Sequence, residues 1–222
     1  MKLHRTSCLV ALVFILLLAV LTIPGFSQTK VSRPGEYSGY SEPIYPNYVR
    51  SSIHVPGHDG TKLAADIYRP SMDGVTPVSE PLPALLSSHP AFSRRNNTTG
   101  RDLIQYGYVV VIYDLRGIGA SYGQHHGDFN IDEMLDLKAV IEWIAAQNWC
   151  TGHVGMLGNS YSGSIQHVAA SAQPPHLTSI HPSSAAFDTY KQFYPNGVSA
   201  LPTVGPATLS LSGIPVDEDT PP

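Results

Sequence analysis

The sequence predicts an α/β fold with a mostly parallel sheet and an antiparallel hairpin at its leading edge. Short apolar runs alternate with longer amphipathic segments, and an Asp-Gly turn joins two alternating stretches ahead of them. The composition is that of a globular protein, because 42% of the 222 residues are hydrophobic and 14% are charged. It excludes collagen and coiled coils, and a formal net charge of -4 argues against nucleic acid as a partner.

The first 27 residues have the pattern of a secretory signal peptide. Lys2 and Arg5 precede an apolar run from Leu9 to Ile23, and small residues up to Ser27 follow it. The alternative is an uncleaved membrane anchor, but the run is shorter than the ~20 apolar residues that a bilayer requires. We therefore expect a secreted or periplasmic protein with no membrane association after cleavage.

An antiparallel hairpin is the first regular structure that the sequence predicts. Residues 28–50 are rich in Ser, Pro, Gly and Tyr, so we expect an irregular lead-in segment there. Residues 53–55 and 63–68 then alternate apolar and polar positions on either side of Asp59-Gly60, a dipeptide typical of tight turns. We assign residues 51–190 to the α/β domain.

Four apolar runs after the hairpin predict strands that are buried on both faces, as in a parallel sheet covered by helices. They are residues 84–86, 109–113, 154–157 and 177–180. Apolar residues from Met134 to Ala145 recur at spacings of three and four, which predicts an amphipathic helix, and Asn130 with Glu133 has the pattern of a capping box. Residues 191–222 contain no such pattern, and we expect a disordered tail or the start of a further region.

A glycine-flanked serine follows the third run, in the order strand, turn, helix. Ser160 lies between Gly158 and Gly163, although the strict G-x-S-x-G pattern is missed by one place because Ser162 precedes the second glycine. This context is that of a nucleophile elbow, where a strained turn requires small neighbours. The backbone N–H of Tyr161 is then the expected oxyanion donor. An ordinary strand-to-helix turn is the alternative interpretation.

The segment from Gly158 to Gly163 resembles the G-x-S-Y-x-G motif of the serine hydrolases that include cocaine esterase, α-amino-acid ester hydrolases and the Xaa-Pro dipeptidyl-peptidases of the S15 group. Two further segments agree in order. Residues 59–70 resemble the opening hairpin of that family, and residues 114–123 resemble its D-x-R-G-x-x-x-S-x-G loop. The resemblance spans roughly residues 53–190.

The resemblance implies an α/β-hydrolase domain in which Ser160 forms an acyl-enzyme with an ester, amide or peptide substrate, without a cofactor or a metal. Tyr161 would supply one oxyanion donor through its backbone N–H. In this family the second donor is a tyrosine hydroxyl from the loop after an early strand, but Ala91 occupies that position here, and His89 is the alternative donor. The resemblance leaves the oligomeric state open.

The family's triad aspartate and histidine lie well downstream of the serine, beyond a helical cap. Three histidines follow the serine here, and none matches the family position: His167, His176 and His181. The family also carries a C-terminal jelly-roll domain. We therefore expect the N-terminal part of a hydrolase, truncated before the cap and the jelly roll, and the alternative is a non-catalytic α/β remnant.

Several other side chains have two interpretations each. His125 and His126 beside Asp128 suggest a metal site, but no third ligand follows at a suitable spacing, so we expect a solvated loop. Arg94 and Arg95 could bind an anion, but exposed loop charge is the commoner case.

Two residues outside these groups also carry alternatives. Cys150 is expected to be a small, partly buried residue rather than a nucleophile. Asn97 begins an N-x-[ST] glycan acceptor pattern, which would be used only if the source is eukaryotic.

Overall fold

The chain divides into two units, residues 1–42 and 43–222, in a computed structural model that describes residues 31–33, 36–38, 42–90 and 93–198. In the first unit, strands β1 (Val31–Arg33) and β2 (Glu36–Ser38) pair antiparallel, with Val31 opposite Ser38. The predicted signal segment lies outside the described residues. None of the helices within the described ranges is long and apolar enough to cross a membrane.

The described part of the second unit contains one sheet of six strands: β3 (Asn47–Pro56), β4 (Lys62–Ser71), β5 (Leu82–Ser87), β6 (Val109–Tyr113), β7 (Cys150–Asn159) and β8 (Leu177–Ser183). Their spatial order is β3-β4-β6-β5-β7-β8. The β3-β4 and β4-β6 pairs are antiparallel, and the other three neighbouring pairs are parallel. The predicted sheet, mostly parallel with an antiparallel hairpin at one edge, is therefore confirmed.

The leading hairpin is longer than its apolar pattern indicates. Strand β3 begins at Asn47, which pairs with Ser71, so the irregular lead-in predicted for residues 28–50 ends earlier than expected. The first half of β3 is mostly exposed, and an exposed strand carries no apolar alternation that a sequence pattern could detect. Gly60 closes the turn with a positive φ of 85°.

Three α-helices follow in the described residues: α1 (Ile131–Ala145), α2 (Tyr161–Ser171) and the short α3 (Thr189–Phe193). Single 3₁₀ segments lie at Arg101–Tyr106 and Pro195–Gly197. Asn130 caps α1 as predicted, because its Oδ1 accepts a hydrogen bond from the Glu133 N–H at 3.0 Å. The Glu133 carboxylate does not complete a capping box, since it accepts from the N–H of Phe129, one residue before the cap.

The main core lies between one face of the sheet and helices α1 and α2. Leu137, Ile141 and Ile165 are fully buried there, against sheet residues such as Val111. A smaller cluster covers the opposite face, where Ile104 of the first 3₁₀ segment packs on Tyr68, Val110 and Ile112. Strand β8 is mostly exposed, so the expectation of burial on both faces is wrong there; this strand has a sheet neighbour on one side only within the described residues.

Arg94 lies in the interior of the protein, and the prediction of exposed loop charge is wrong for it. Its side chain has no exposed surface, and the guanidinium donates from Nε to Asp66 Oδ1 at 3.0 Å and from Nη1 to Asp114 Oδ2 at 2.7 Å. The backbone N–H of Arg94 also donates to Asp114 Oδ1, at 2.6 Å. Two buried carboxylates from β4 and from the end of β6 require a cation between them, which is why this arginine is drawn inward.

Arg116 ties the loop after β6 to two other elements. Its Nη2 lies 2.7 Å from Asp136 Oδ1 on α1 and 2.9 Å from Asp59 Oδ1 in the β3-β4 turn. The arginine holds the pKa of the Asp59 carboxyl well below its usual range, and the backbone N–H of Thr61 acts in the same direction. The arginine of the D-x-R-G segment is therefore an anchor for the loop in which it lies.

We expect substitution of Arg94 by Met to destabilise the fold strongly. The change leaves Asp66 and Asp114 buried without their shared cation, and breaking a buried ion pair in this way costs about 3–5 kcal/mol. Urea unfolding at pH 7 measures the loss. Arg95→Met is the matched control: it removes the 2.8 Å contact of Arg95 Nε with Asp66 Oδ2, but the Arg95 side chain is 21% exposed and Asp66 keeps its contact with Arg94, so we expect a smaller loss. Equal unfolding midpoints for the two variants would contradict this account.

Candidate active site

Ser160 lies on the turn between β7 and α2, as the sequence pattern predicts. Its backbone has a left-handed φ of 59° with a ψ of -119°, and the residue is exposed. A non-glycine residue in such a conformation costs on the order of 1–3 kcal/mol, and such strain persists only where the surroundings fix it. The hydroxyl is therefore presented to solvent at the N-terminus of a helix. Its role as a nucleophile stays a prediction.

Backbone hydrogen bonds hold the turn from both sides. The N–H of Ser160 donates to the carbonyl oxygen of Ser183, at the end of β8, at 2.9 Å. The carbonyl oxygen of Ser160 accepts from the N–H of Gly163 at 3.0 Å and from that of Ser164 at 2.9 Å. The first N–H groups of an α-helix have no partner within the helix, so the amide of Tyr161 is in position to donate to a ligand next to Ser160.

The two glycines leave room for this turn. A Cβ atom on Gly163 would lie 2.6 Å from the carbonyl oxygen of Ser183 and 2.9 Å from the Cβ of Ala185. A Cβ atom on Gly158 would lie 2.4 Å from the Cβ of Ser162. Ser162, which lies between the two glycines in the sequence, is buried. Its Oγ donates to the carbonyl oxygen of Ser88 at 2.6 Å and so links α2 to the segment after β5.

A cavity of about 790 Å³ opens in front of Ser160. Its walls come from the segment after β5, the loop before α1, the turn itself and the chain around α3. The described lining residues are His89, Pro90, Asn96, Asn97, Thr98, Thr99, Asp128, Phe129, Asn159, Ser160, Tyr161, Ser162, Ser164, Ser184, Ala186, Gln192 and Phe193. The volume suits a small organic substrate, and the mixture of amides, hydroxyls and aromatic rings is typical of ligand pockets.

Tyr161 forms the inner wall of this cavity next to the serine. Its ring stacks on Phe129, with ring centroids 4.9 Å apart, and it meets His89 edge-on at 5.6 Å. Its hydroxyl donates to Oε1 of Glu133. Burial and the nearby carboxylate hold the pKa of Tyr161 well above its ordinary value, so the hydroxyl stays protonated as a donor.

Glu133 is a buried carboxylate directly behind the cavity wall. Its side chain is 2% exposed, and burial raises the pKa of this carboxyl to about 7. His125 lies between two carboxylates, with Nδ1 3.9 Å from Glu133 Oε1 and Nε2 3.4 Å from Asp128 Oδ1. The nearby carboxylate of Asp128 raises the pKa of His125 above its ordinary value. The prediction of a solvated loop is therefore wrong at His125, whose side chain is 9% exposed.

Two groups of acidic and histidine side chains lie close together among the described residues: His58, Asp59 and Asp136, and His125, Asp128 and Glu133. Arg116 already supplies positive charge to the first group. In the second, His125 lies between the two carboxylates, with one ring nitrogen toward each. We assign neither group as a metal site.

None of the three histidines that follow Ser160 lines the described cavity. His167 packs edge-on against Phe187 at 5.2 Å, His176 is hydrogen-bonded to Glu142 at 2.6 Å, and His181 is exposed. Of the histidines in the described ranges, His89 alone lines it, and burial lowers its pKa. The structure thus brings Ser160 together with the amide of Tyr161, and it does not bring a histidine and an acid together with Ser160 as a triad within the described residues.

The expectations at the other candidate residues have different outcomes. Ala91, where the sequence predicts a lost oxyanion donor, lies outside the described residues. Asn97 is 6% exposed and its Oδ1 accepts from the N–H of Thr99, so the folded chain does not present this side chain as a glycan acceptor. Cys150 is a free, buried cysteine, and burial raises the pKa of its thiol.

Sequence reasoning missed the polar wall at residues 96–99 and the contact of Glu133 with Tyr161. Glu133 was visible only as a capping residue, because its partner on α2 is 28 positions away in the sequence. No local pattern marks such a pair.

The chain is similar in sequence to known hydrolases. The family model described as X-Pro dipeptidyl-peptidase (S15 family) matches residues 59–219. The chain is 39% identical to cocaine esterase of Rhodococcus sp. over 153 residues, which cover 65% of this chain and 25% of the esterase.

Solved structures show the same fold. A CocE/NonD family hydrolase from Staphylococcus aureus superposes with a TM-score of 0.51 at 27% identity, over 62% of this chain and 28% of that one. An α-amino acid ester hydrolase superposes with a TM-score of 0.56 at 21% identity, over 77% of this chain and 29% of that one. The chain therefore spans about a quarter to three tenths of the length of these relatives, and the predicted α/β-hydrolase-type fold is confirmed.

We expect Gly163→Ala to disrupt the turn. The added methyl group would meet backbone and a neighbouring Cβ rather than the end of a flexible side chain, so either α2 or the end of β8 must move. Overpacking of this kind costs about 1–3 kcal/mol, and thermal unfolding measures it. In the control Gly127→Ala, no atom lies within 4 Å of the new Cβ, and only the strain of its positive φ remains. A Gly163 variant more stable than this control would contradict the assignment.

Proposed function

We propose that this chain, which belongs to the X-Pro dipeptidyl-peptidase (S15) family, carries the nucleophile of a serine hydrolase that cleaves esters or amides through an acyl-enzyme on Ser160. One observation carries the proposal: an exposed serine held at positive φ, at the N-terminus of a helix and in the wall of a cavity of about 790 Å³. A strained serine at such a place is the arrangement that acyl transfer requires.

In the proposed reaction, Ser160 Oγ attacks the substrate carbonyl carbon and transfers its proton to a general base. The carbonyl oxygen becomes an oxyanion, which the N–H of Tyr161 stabilises together with the positive end of the α2 dipole. The C–O or C–N bond to the leaving group then breaks, and the protonated base returns the proton to the departing alcohol or amine. Water then attacks the acyl carbonyl carbon while the base takes its proton, and the bond to Ser160 Oγ breaks as the base returns that proton to Oγ, which releases the acid and the free serine.

The base and the acid that orients it are proposed to lie outside the described residues. His167 and His176 make other contacts, and the matched parts cover only 25% of cocaine esterase and 28% of the CocE/NonD family hydrolase. We propose that this chain corresponds to the N-terminal part of such an enzyme. The second candidate, a non-catalytic α/β remnant, is favoured by the same contacts of His167 and His176.

The substrate is proposed to be a small ester, an amide or a peptide. The matching family is described as a dipeptidyl-peptidase, and one relative is named an esterase. A pocket lined by both aromatic rings and side-chain amides can accept an apolar group and a polar carbonyl or amide group together.

Reaction with a fluorophosphonate probe tests the role of Ser160. In the complete enzyme, in which the base is present, we expect one label per chain, located on Ser160 by peptide mass mapping and lost in Ser160→Ala. Ser171→Ala is the matched control, because this exposed serine lies at the other end of α2 and should leave labelling unchanged. A complete enzyme that folds cooperatively but takes no label and hydrolyses no p-nitrophenyl ester would support the non-catalytic alternative and reject the hydrolase.

We also propose that the chain is exported, because the charged start and apolar run of residues 1–27 are typical of a signal peptide. Expression of the full chain in a bacterial host should give a mature protein that begins near Gln28, as read by N-terminal sequencing, in the periplasm or the medium. Deletion of residues 2–27 should leave it in the cytoplasm. An intact N-terminus on exported or membrane-bound protein would reject cleavage.

A further inference from the structure

We propose that Glu133 is a positioning residue for the nucleophile turn: it holds the side chain of Tyr161 and so restrains the peptide N–H next to Ser160. The proposal rests on the proposed function of that turn. It assigns a role to a buried carboxylate on α1 that neither attacks the substrate nor contacts Ser160 in the mechanism described above.

The geometry is that of a clamp with one carboxylate at its centre. Oε1 of Glu133 accepts from the hydroxyl of Tyr161, and Oε2 accepts from the backbone N–H of Phe129. The ring of Phe129 stacks on the ring of Tyr161 at 4.9 Å with an interplanar angle of 25°. The same carboxylate therefore fixes Tyr161 directly through its hydroxyl and indirectly through the residue that covers its ring.

The clamp acts on Tyr161, whose peptide N–H is the proposed oxyanion donor. Tyr161 is the first residue of α2, and its peptide N–H adjoins the strained turn at Ser160. An oxyanion donor is effective only when it is already oriented toward the developing charge. Anchoring the far end of the Tyr161 side chain limits rotation of that residue, while Glu133 itself stays behind the cavity wall.

Charged and titratable groups face Glu133 from three elements. The loop before α1 contributes His125 and Asp128, α2 contributes Tyr161, and β6 contributes Tyr113. Burial raises the pKa of Glu133 to about 7, while His125 and the donors from Tyr161 and Phe129 oppose the rise. This carboxyl therefore changes its charge in the neutral range of pH.

Ionisation decides whether the clamp is complete. Both groups that face the carboxylate oxygens are donors, so the ionised form accepts both of them. Protonation of either oxygen places a hydrogen where a donor now binds, and one of the two contacts weakens. We expect Tyr161 to be held firmly at pH 8 and loosely at pH 6.

The effect of Glu133 on stability has the opposite pH dependence. Its folded pKa is raised above the unfolded value, so the stabilisation that it contributes is fully present below about pH 4.5 and is lost as the pH rises through about 7. A purely structural role would thus show its largest effect at low pH, whereas a positioning role shows its largest effect at high pH.

A double-mutant cycle on labelling of Ser160 tests the proposal. In the complete enzyme, which contains the base, Glu133→Gln, Tyr161→Phe and the double variant are treated with the fluorophosphonate probe at pH 6 and pH 8. At pH 8 we expect each single variant to react about five- to tenfold more slowly, and the double variant no more slowly than the slower single one, since both changes break the same contact. At pH 6 the variants should lie within about twofold of the wild type, because the wild-type clamp is already loosened.

Glu142→Gln is the matched control, because Glu142 lies on the same helix and pairs with His176 at the surface instead. It should label at the wild-type rate. Independent losses that multiply in the double variant, or a Glu133→Gln variant that labels at the wild-type rate at pH 8 while its thermal midpoint falls, would overturn the proposal and leave Glu133 a structural residue.

A second measurement separates failure of this proposal from failure of the proposed function. The near-UV circular dichroism of Tyr161, read as wild type minus Tyr161→Phe, should titrate with a midpoint near pH 7 and should not titrate in the Glu133→Gln background. An unlabelled wild type that shows this titration rejects the hydrolase and keeps the clamp. A wild type that labels at Ser160 without this titration rejects the clamp and keeps the hydrolase.

Discussion

The left-handed backbone at Ser160 has to be maintained against a conformational cost, and the structure shows which contacts maintain it. The carbonyl oxygen of Ser183 accepts from the N–H of Ser160. The carbonyl oxygen of Ser160 accepts in turn from the N–H groups of Gly163 and Ser164 in the first turn of α2. Strand β8 and helix α2 thus hold the serine between them. Removing either element would let the turn relax and withdraw the hydroxyl from the cavity, so the pairing of β7 with β8 is part of the site.

Buried charge fixes the other walls of the cavity. Arg94 forms ion pairs with Asp66 and Asp114, and its backbone N–H donates to Asp114 too, so the segment that carries His89 and residues 96–99 is anchored at Arg94. Arg116 does the same for the loop after β6. Such clusters add little net stability compared with apolar packing, but they are costly to break and so define one arrangement of the loops.

Local patterns predicted the parts of the molecule that local forces determine. The helix after Asn130 and the position of Ser160 follow from spacing, capping and small residues, and both are found where the sequence places them. The inward turn of Arg94 was not predictable, because its acidic partners lie 20 and 28 positions away and only the completed sheet brings them together. The environment of His125 was missed although Asp128 and Glu133 lie only three and eight positions away, because an irregular loop has no periodicity from which burial can be predicted. The first half of β3 was not predicted as a strand, because its side chains are mostly exposed and do not alternate between apolar and polar residues.

The displaced glycine of the serine motif has a consequence for how such motifs are defined. A side chain at Gly163 would meet the carbonyl oxygen of Ser183 at the end of β8, whereas the preceding position accommodates Ser162, whose hydroxyl donates to Ser88. The sterically restricted position is therefore the one next to the end of β8, and its exact number of residues from the serine matters less. A sequence motif with fixed spacing, such as G-x-S-x-G, misses chains of this kind. A motif that specifies the residue size allowed at each position would include them.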